Sequence, residues 1–122
     1  MKATFIETVG FTERVEDFLT DIEYSKLQKS LMEDPEAGDV MTGCAGLRKV
    51  RAGDARRGKG KRGGVRVIYL HIPAARRFYM IDVYGKNEKD DLSSHEKKAL
   101  RQLVEELKRV ALTAHESQRK DG

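Results

Sequence analysis

Lysine and arginine are concentrated in one segment of the chain, residues 47–66. This segment contains nine Lys or Arg residues and one acidic residue, which gives it a net charge of +8. Residues 1–46 have a net charge of −6, and residues 67–122 a net charge of +2. The overall charge of +4 therefore conceals a polarised molecule. A basic segment of this density predicts an anion-binding site, and nucleic acid is the usual anion for such a patch.

Four interpretations of the basic segment are open. A solvated hairpin loop is the simplest, but the glycine-rich connector 53–64 is long for a hairpin. Gly53, Gly58 and Lys59 match the spacing of a nucleotide-binding P-loop, yet Gly60 stands where Ser or Thr would hold magnesium, and no helix follows. Passive RNA or DNA binding is the third interpretation. RNA cleavage is the fourth, and it is the one we favour.

RNA can be cleaved when its 2′-hydroxyl attacks the adjacent phosphate, which requires a base, an acid and cations that stabilise the extra charge on phosphorus. His71, His95 and His115 lie away from the basic segment, so we expect each to have a structural or surface role. A lysine crowded by arginines is pushed toward its neutral form and can serve as the base. Arg66 can bind a phosphate through two parallel hydrogen bonds.

No cluster of His, Cys, Asp or Glu has the spacing of metal ligands, so the sequence predicts neither a metal site nor a cofactor. The single Cys44 excludes an intramolecular disulfide and suits a reducing compartment. No apolar segment approaches membrane length, and no secretory signal is evident. We therefore expect a cytoplasmic protein that does not associate with membranes.

The pattern of apolar residues predicts one domain over residues 1–122, with a polar tail that frays from about residue 113. Two helices are expected near the N-terminus, one over 11–19 with Thr12 as its cap and one that begins with the capping box Thr20–Glu23 and ends before Pro35. A third helix begins with the capping box Ser93–Glu96. Strands are expected over 2–7, 47–51, 65–72 and 77–84, with loops over 35–46 and 73–76.

These elements predict an α+β domain. Its antiparallel sheet consists of the N-terminal strand and a three-stranded C-terminal meander, and the helices cover the sheet. Strict alternation along the strands places Lys49 and Arg51 on one face, and it places Arg66 on one face with Ile68, Leu70 and Ile72. The same alternation puts Lys86 on the face shared by Phe78, Met80, Asp82 and Tyr84. One face would then carry a basic groove suited to a phosphodiester backbone.

Four runs of sequence resemble the RelE/HigB superfamily of bacterial toxins, most closely its HigB-like branch. They are Pro35-Glu36-Ala37-Gly38-Asp39-Val40, Gly46-Leu47-Arg48-Lys49-Val50-Arg51, Gly58-Lys59-Gly60-Lys61-Arg62-Gly63-Gly64-Val65-Arg66-Val67-Ile68-Tyr69 and Tyr84-Gly85-Lys86-Asn87-Glu88. The resemblance implies a RelE-type fold and an endonuclease that cuts mRNA in the ribosomal A site. It also implies an antitoxin that is encoded beside the toxin and forms an inactive hetero-oligomer with it. The complex would bind operator DNA through the antitoxin.

The resemblance also suggests which residues act. Lys49, Arg51, Arg66, Lys86 and Lys61 are the expected catalytic residues. A second set is expected to bind RNA and comprises Arg48, Arg56, Arg57, Lys59, Arg62, Asn87 and Tyr84. Some RelE members use a tyrosine shortly after the last basic residue, but residues 89–93 contain none. The general base is therefore open between Lys61 and Lys86, with Tyr84 as a weaker candidate. A second hypothesis also stays open: the chain is a non-catalytic RNA- or ribosome-binding module, or a decayed toxin that acts only in a repressor complex.

Overall fold

The computed structural model of the chain describes residues 2–53, 64–85 and 92–121, with side chains as far as Ala114. Its elements, in chain order, are β1 (Thr4–Glu7), α1 (Val9–Phe18), α2 (Asp21–Glu33), β2 (Asp39–Val40), β3 (Arg48–Ala52), β4 (Val65–Ile72), a 3-10 helix (Pro73–Ala75), β5 (Arg77–Gly85) and α3 (Ser94–Asp121). Helix α3 includes the segment from about residue 113, and fraying of that segment in solution stays a prediction.

The strands form one sheet in the order β1-β5-β4-β3-β2. The meander of β3, β4 and β5 is antiparallel, as predicted. Two details of the predicted sheet were wrong. The first is the direction of β1, which runs parallel to β5 and makes the sheet mixed. The second is the strand count, because Asp39 and Val40, in the segment predicted as a loop, pair with β3 as a fifth strand. The α+β class is confirmed.

Helix α1 begins earlier than the sequence predicts. Its N-cap is Thr8, whose Oγ accepts a hydrogen bond from the backbone N–H of Phe11 at 3.2 Å. The predicted cap, Thr12, instead donates its hydroxyl to a carboxylate oxygen of Glu7 at 2.6 Å. Thr8 also extends the pairing of β1 with β5 by one residue. Its N–H donates to the carbonyl of Met80, and its hydroxyl donates to the carbonyl of Ile81. Helix α1 therefore lies beside β5 where β1 ends.

The other predicted helix signals are confirmed. Thr20 and Glu23 exchange the two hydrogen bonds of a capping box at the start of α2. Ser93 and Glu96 do the same at the start of α3. Helix α2 ends at Glu33, two residues before Pro35, because the residue before a proline disfavours the helical conformation. Both capping boxes satisfy backbone N–H groups that a helix start leaves without partners.

The sheet is buried on both faces. On one face α1 and α2 pack against β4 and β5 to form a core that includes Phe11, Leu31, Tyr69 and Phe78. On the other face α3 contributes Val104 and Ala111 to a core with residues of β4 and β5. Two side chains of α3 also reach the loop before β3, since Arg101 donates to the carbonyl of Gly43 and Lys108 to that of Ala45.

A β-bulge in β5 changes which side chains share a face. Ile68 pairs with Asp82 and the next residue, Tyr69, pairs with Met80, so Ile81 is the extra residue. Met80 therefore lies in the core under α1 and α2, whereas Ile81 lies in the core under α3. The predicted common face of Phe78, Met80, Asp82 and Tyr84 was wrong, because strict alternation does not pass through a bulge.

Tyr69 attaches the segment after α2 to the sheet. Its hydroxyl donates to the carbonyl of Pro35 at 2.8 Å and accepts from the N–H of Gly38 at 3.0 Å. Gly38 is buried and must be glycine-sized, since an added Cβ would lie 2.9 Å from Cε1 of Tyr69 and 3.0 Å from the carbonyl oxygen of Lys49. Burial raises the pKa of Tyr69, so the hydroxyl stays protonated and able to donate.

We expect Tyr69→Phe to lower the free energy of unfolding by about 1–3 kcal/mol, because the buried N–H of Gly38 loses its acceptor. Urea denaturation measures this. Tyr79→Phe is the comparison, because Oη of Tyr79 accepts a hydrogen bond from the half-buried Arg77 and not from a buried backbone N–H of the described residues. We expect the smaller loss for Tyr79→Phe; equal losses would show that the attachment by Tyr69 contributes nothing of its own.

His71 lies in an aromatic stack on the α1 and α2 face of the sheet. Its ring stacks on Phe78 with centroids 4.5 Å apart, and Phe78 stacks on Phe5 at 4.7 Å. Nε2 of His71 is buried and has no hydrogen-bond partner in the part of the chain that the structure describes. Burial lowers the pKa of His71, an effect that nearby Glu36 opposes and Arg48 reinforces. The ring is therefore held in its neutral form.

A histidine whose pKa is lower in the folded than in the unfolded chain stabilises the fold above its unfolded pKa, about 6.5. That contribution is lost as the pH falls through the folded pKa. We therefore expect the free energy of unfolding, measured in urea between pH 7.5 and pH 5, to fall less in His71→Phe than in the wild type. His95→Gln removes an exposed histidine of α3 and is the control. Identical pH dependence in His71→Phe and the wild type would contradict this account.

Candidate anion-binding groove

The structure brings together three of the predicted catalytic side chains. Arg51 of β3 is directly opposite Arg66 of β4, and Lys49 is opposite Ile68. Directly opposed residues of antiparallel strands share a face of the sheet, so Lys49, Arg51 and Arg66 lie together, as the alternation predicts. They line an open depression of about 460 Å³, which we call the basic groove.

One residue of the basic groove was missed by the sequence analysis. Asp39 of β2 is paired with Lys49 and lines the groove beside it, together with Ala37 and Val50. A strand of two residues has no detectable alternation, so no sequence pattern marks Asp39 as part of the sheet. Its carboxylate places one negative charge beside the cations of the groove.

The cross-strand pair Arg51–Arg66 brings two positive charges together in the groove. Like charges directly opposite one another destabilise a sheet, and arginine stays protonated at every physiological pH. A bound anion between the two guanidinium groups removes this repulsion. Guanidinium groups match phosphate oxygens with two parallel hydrogen bonds, so the arrangement suits a phosphodiester.

Arg48, predicted to bind RNA, has a different position from its neighbours. It alternates with Lys49 and is directly opposite Tyr69, on the face of the sheet that α1 and α2 cover. Its Nη1 donates to the carbonyl of Gly38 at 2.7 Å and to that of Glu36 at 3.3 Å. Arg48 therefore holds the segment before β2, as Tyr69 does, and so supports the groove wall that carries Asp39.

Tyr84 and the described histidines lie in the two cores or on the surface and do not line the basic groove. Tyr84 is directly opposite Arg66 and is buried in the core beneath α3. His71 belongs to the aromatic stack on the other face, and His95 is exposed in the first turn of α3. Among the residues that the structure describes, no group of three or more His, Cys, Asp or Glu side chains is arranged to hold a metal ion. The charged side chains that line the groove are those of Lys49, Arg51, Arg66 and Asp39.

The remaining predicted site residues lie outside the described ranges. They are Arg56, Arg57, Lys59, Lys61, Arg62, Lys86 and Asn87. The first five belong to the connector between β3 and β4, and the last two follow β5. Their roles in catalysis or RNA binding stay predictions.

Comparison with known protein families agrees with the fold. A model described as the RelE toxin of the RelE/RelB toxin–antitoxin system matches residues 19–120, most of the chain and every strand of the basic groove. The chain belongs to the RelE toxin family. It is the toxin component of a toxin–antitoxin system, and membership of the family implies an antitoxin partner. No helix in the described part of this RelE toxin is long and apolar enough to cross a membrane.

The cross-strand repulsion predicts that Arg51 contributes to function and not to stability. At low salt, we expect Arg51→Gln to raise the free energy of unfolding by about 0.2–1 kcal/mol. Inorganic phosphate should stabilise the wild type more than Arg51→Gln, because it fills the groove between the two arginines. Thermal denaturation with and without phosphate measures both effects.

Arg109→Gln is the matched control, because Arg109 is an exposed arginine of α3 that pairs with Glu106. It removes the same charge from the chain without touching the basic groove. Phosphate should stabilise this variant as much as the wild type. A lower stability of Arg51→Gln at low salt would contradict the account of the pair as repulsive.

Proposed function

We propose that this toxin is an endoribonuclease that cleaves mRNA in the ribosomal A site without a metal ion. The observation that carries the proposal is the opposed pair Arg51–Arg66 in an open groove that Lys49 also lines. RNA cleavage by the 2′-hydroxyl places additional negative charge on the phosphate, and fixed cations stabilise that transition state. Membership of the RelE family supports the same activity.

The reaction forms a bond between the 2′-oxygen and phosphorus and breaks the bond from phosphorus to the 5′-oxygen. It leaves a 2′,3′-cyclic phosphate and a free 5′-hydroxyl. Arg51 and Arg66 hold the phosphate oxygens, and Lys49 adds a third positive charge. A base removes the 2′-proton and an acid protonates the 5′-oxygen. Lys61 and Lys86 remain the proposed proton-transfer residues.

The proposed partners are the ribosome, mRNA and a cognate antitoxin that neutralises the toxin in a hetero-oligomer. The toxin reaches operator DNA through the antitoxin, and the complex works in the cytoplasm. The ribosome is part of the proposal because the groove is open and supplies cations without enclosing its substrate. A ribosome can hold the mRNA in the geometry that in-line attack requires. Such positioning of the reacting groups removes a large part of the activation barrier.

A cleavage assay with a programmed ribosome and end-labelled mRNA tests the proposal. With chelator present, we expect wild-type toxin to produce new 5′ ends in the A-site codon and none on naked mRNA. Arg66→Ala should lower the cleavage rate by about 10²–10³-fold, because it removes a guanidinium group from the developing charge. Arg109→Ala, which changes an arginine of α3 outside the groove, should cleave at the wild-type rate.

The same assay distinguishes the non-catalytic alternative, which the absence of a tyrosine from residues 89–93 keeps open. Intact mRNA on ribosomes to which the wild-type chain is bound would favour a binding module. Arg66→Ala that cleaves as fast as the wild type would contradict the role of the groove.

A further inference from the structure

A second depression opens on the same face of the sheet as the basic groove, where the start of α3 lies over β4 and β5. It has a volume of about 200 Å³. We call it the base pocket. Among the residues that the structure describes, four apolar side chains and two carboxylates line it: Ile68, Asp82, Leu92, Glu96, Ala99 and Leu100. The described part of its lining is mostly apolar, in contrast to that of the basic groove.

The base pocket lies next to the basic groove on the sheet, because Ile68 of the pocket is paired with Lys49 of the groove. This residue lies in the pocket, is directly opposite Lys49, and is two positions from Arg66 along β4. Residues two apart on one face of a strand are separated by about 7 Å. A phosphate held by Arg66 therefore places the adjoining nucleotide beside the pocket.

Asp82 is held in place with acceptor capacity left over. Its Oδ1 accepts from the N–H of Val83 at 2.9 Å and lies 3.5 Å from Nη1 of Arg14. A carboxylate has a second oxygen with further lone pairs. Glu96 is also fixed, since its Oε1 accepts from the N–H of Ser93 at 3.1 Å. Two fixed carboxylates repel a phosphate and accept hydrogen bonds from N–H groups.

We propose that the base pocket holds one nucleobase next to the phosphate in the basic groove and selects bases that carry an exocyclic amino group. The apolar walls contact the ring, and Asp82 accepts a hydrogen bond from the amino group, as acidic side chains do from the N4 amino group of cytosine. Uracil has no amino group, and its N3–H lies between two carbonyl oxygens that the carboxylates repel, so uracil is disfavoured. This inference rests on the proposed function, because it takes the ligand of the groove to be RNA.

A basic side chain of the antitoxin is the competing occupant, since a lysine has an apolar stem and a charged end. The observations favour the base, because the pocket adjoins the predicted position of the phosphate on one continuous sheet face. The antitoxin alternative predicts that changes in the pocket alter toxin–antitoxin affinity and leave base preference unchanged.

The first experiment maps cleavage on ribosomes programmed with codons that vary the base beside the cleaved phosphate. We expect wild-type toxin to cleave next to adenine, cytosine or guanine about tenfold faster than next to uracil, the factor expected for one charged hydrogen bond. Asp82→Asn should reduce this ratio toward one, since an amide both donates and accepts. Wild-type toxin that cleaves next to uracil at the same rate as next to the other bases would overturn the proposal.

Three variants exclude indirect effects. Arg14→Gln removes the ion pair of Asp82 and keeps its carboxylate, so the preference should persist. Ala99→Leu fills the pocket without changing charge and should reduce the preference, whereas Gln102→Leu places the same side chain at an exposed position of α3 and should not. Antitoxin affinity, measured on the same proteins, should be equal for Asp82→Asn and the wild type. A change in affinity with an unchanged preference would assign the pocket to the antitoxin.

The second experiment does not require cleavage. Methyl NMR of the free toxin, titrated with cytidine and uridine monophosphates, should show larger shifts at Ile68 and Leu100 for the cytidine nucleotide. Asp82→Asn should remove the difference. A toxin that binds the cytidine nucleotide here but never cuts mRNA would contradict the proposed function and retain the pocket. Cleavage with equal shifts for both nucleotides would contradict the pocket alone.

Discussion

Burial of the sheet on both faces is the constraint on which the rest of this RelE toxin depends. Helices α1 and α2 cover one face and α3 covers the other, so β4 is apolar almost throughout. Arg66 lies near the start of β4, where the pairing of β3 with β4 brings Arg51 opposite it. A cation at the centre of such a strand would lose its hydration, which restricts the basic groove to this end of the sheet.

The core on the far side of the sheet supports the wall of the groove. The hydroxyl of Tyr69 and the guanidinium of Arg48 both bind the segment that leads into β2. This segment passes so close to β3 that Gly38 has no room for a side chain. Asp39 follows immediately and lines the groove. The position of a groove residue is therefore determined by hydrogen bonds to residues of the opposite face.

Local chemistry explains which features could be predicted from the sequence. Capping boxes and the β-branched run of β4 depend on neighbouring residues, so the sequence predicts them correctly, and alternation within β3 and β4 correctly groups Lys49, Arg51 and Arg66. The bulge at Ile81 depends on how β5 meets its neighbours, and a strand of two residues has no pattern of its own. Because of these long-range features, Asp39 lies in the groove and Met80 lies in the core under α1 and α2. Local sequence patterns predict neither position.

The shortness of β2 has a consequence for how this chain behaves at high concentration. An exposed strand edge is a template for pairing with another chain, and long edges promote aggregation. At the border next to β3, the edge strand is β2, which has two residues, one of them the charged Asp39. On the opposite side, the hydrogen bonds of Thr8 bring α1 alongside β5 where β1 ends. The two edge strands, β1 and β2, thus have four and two residues, and such short strands offer few consecutive backbone groups to a neighbouring copy, which favours association through side chains over strand addition.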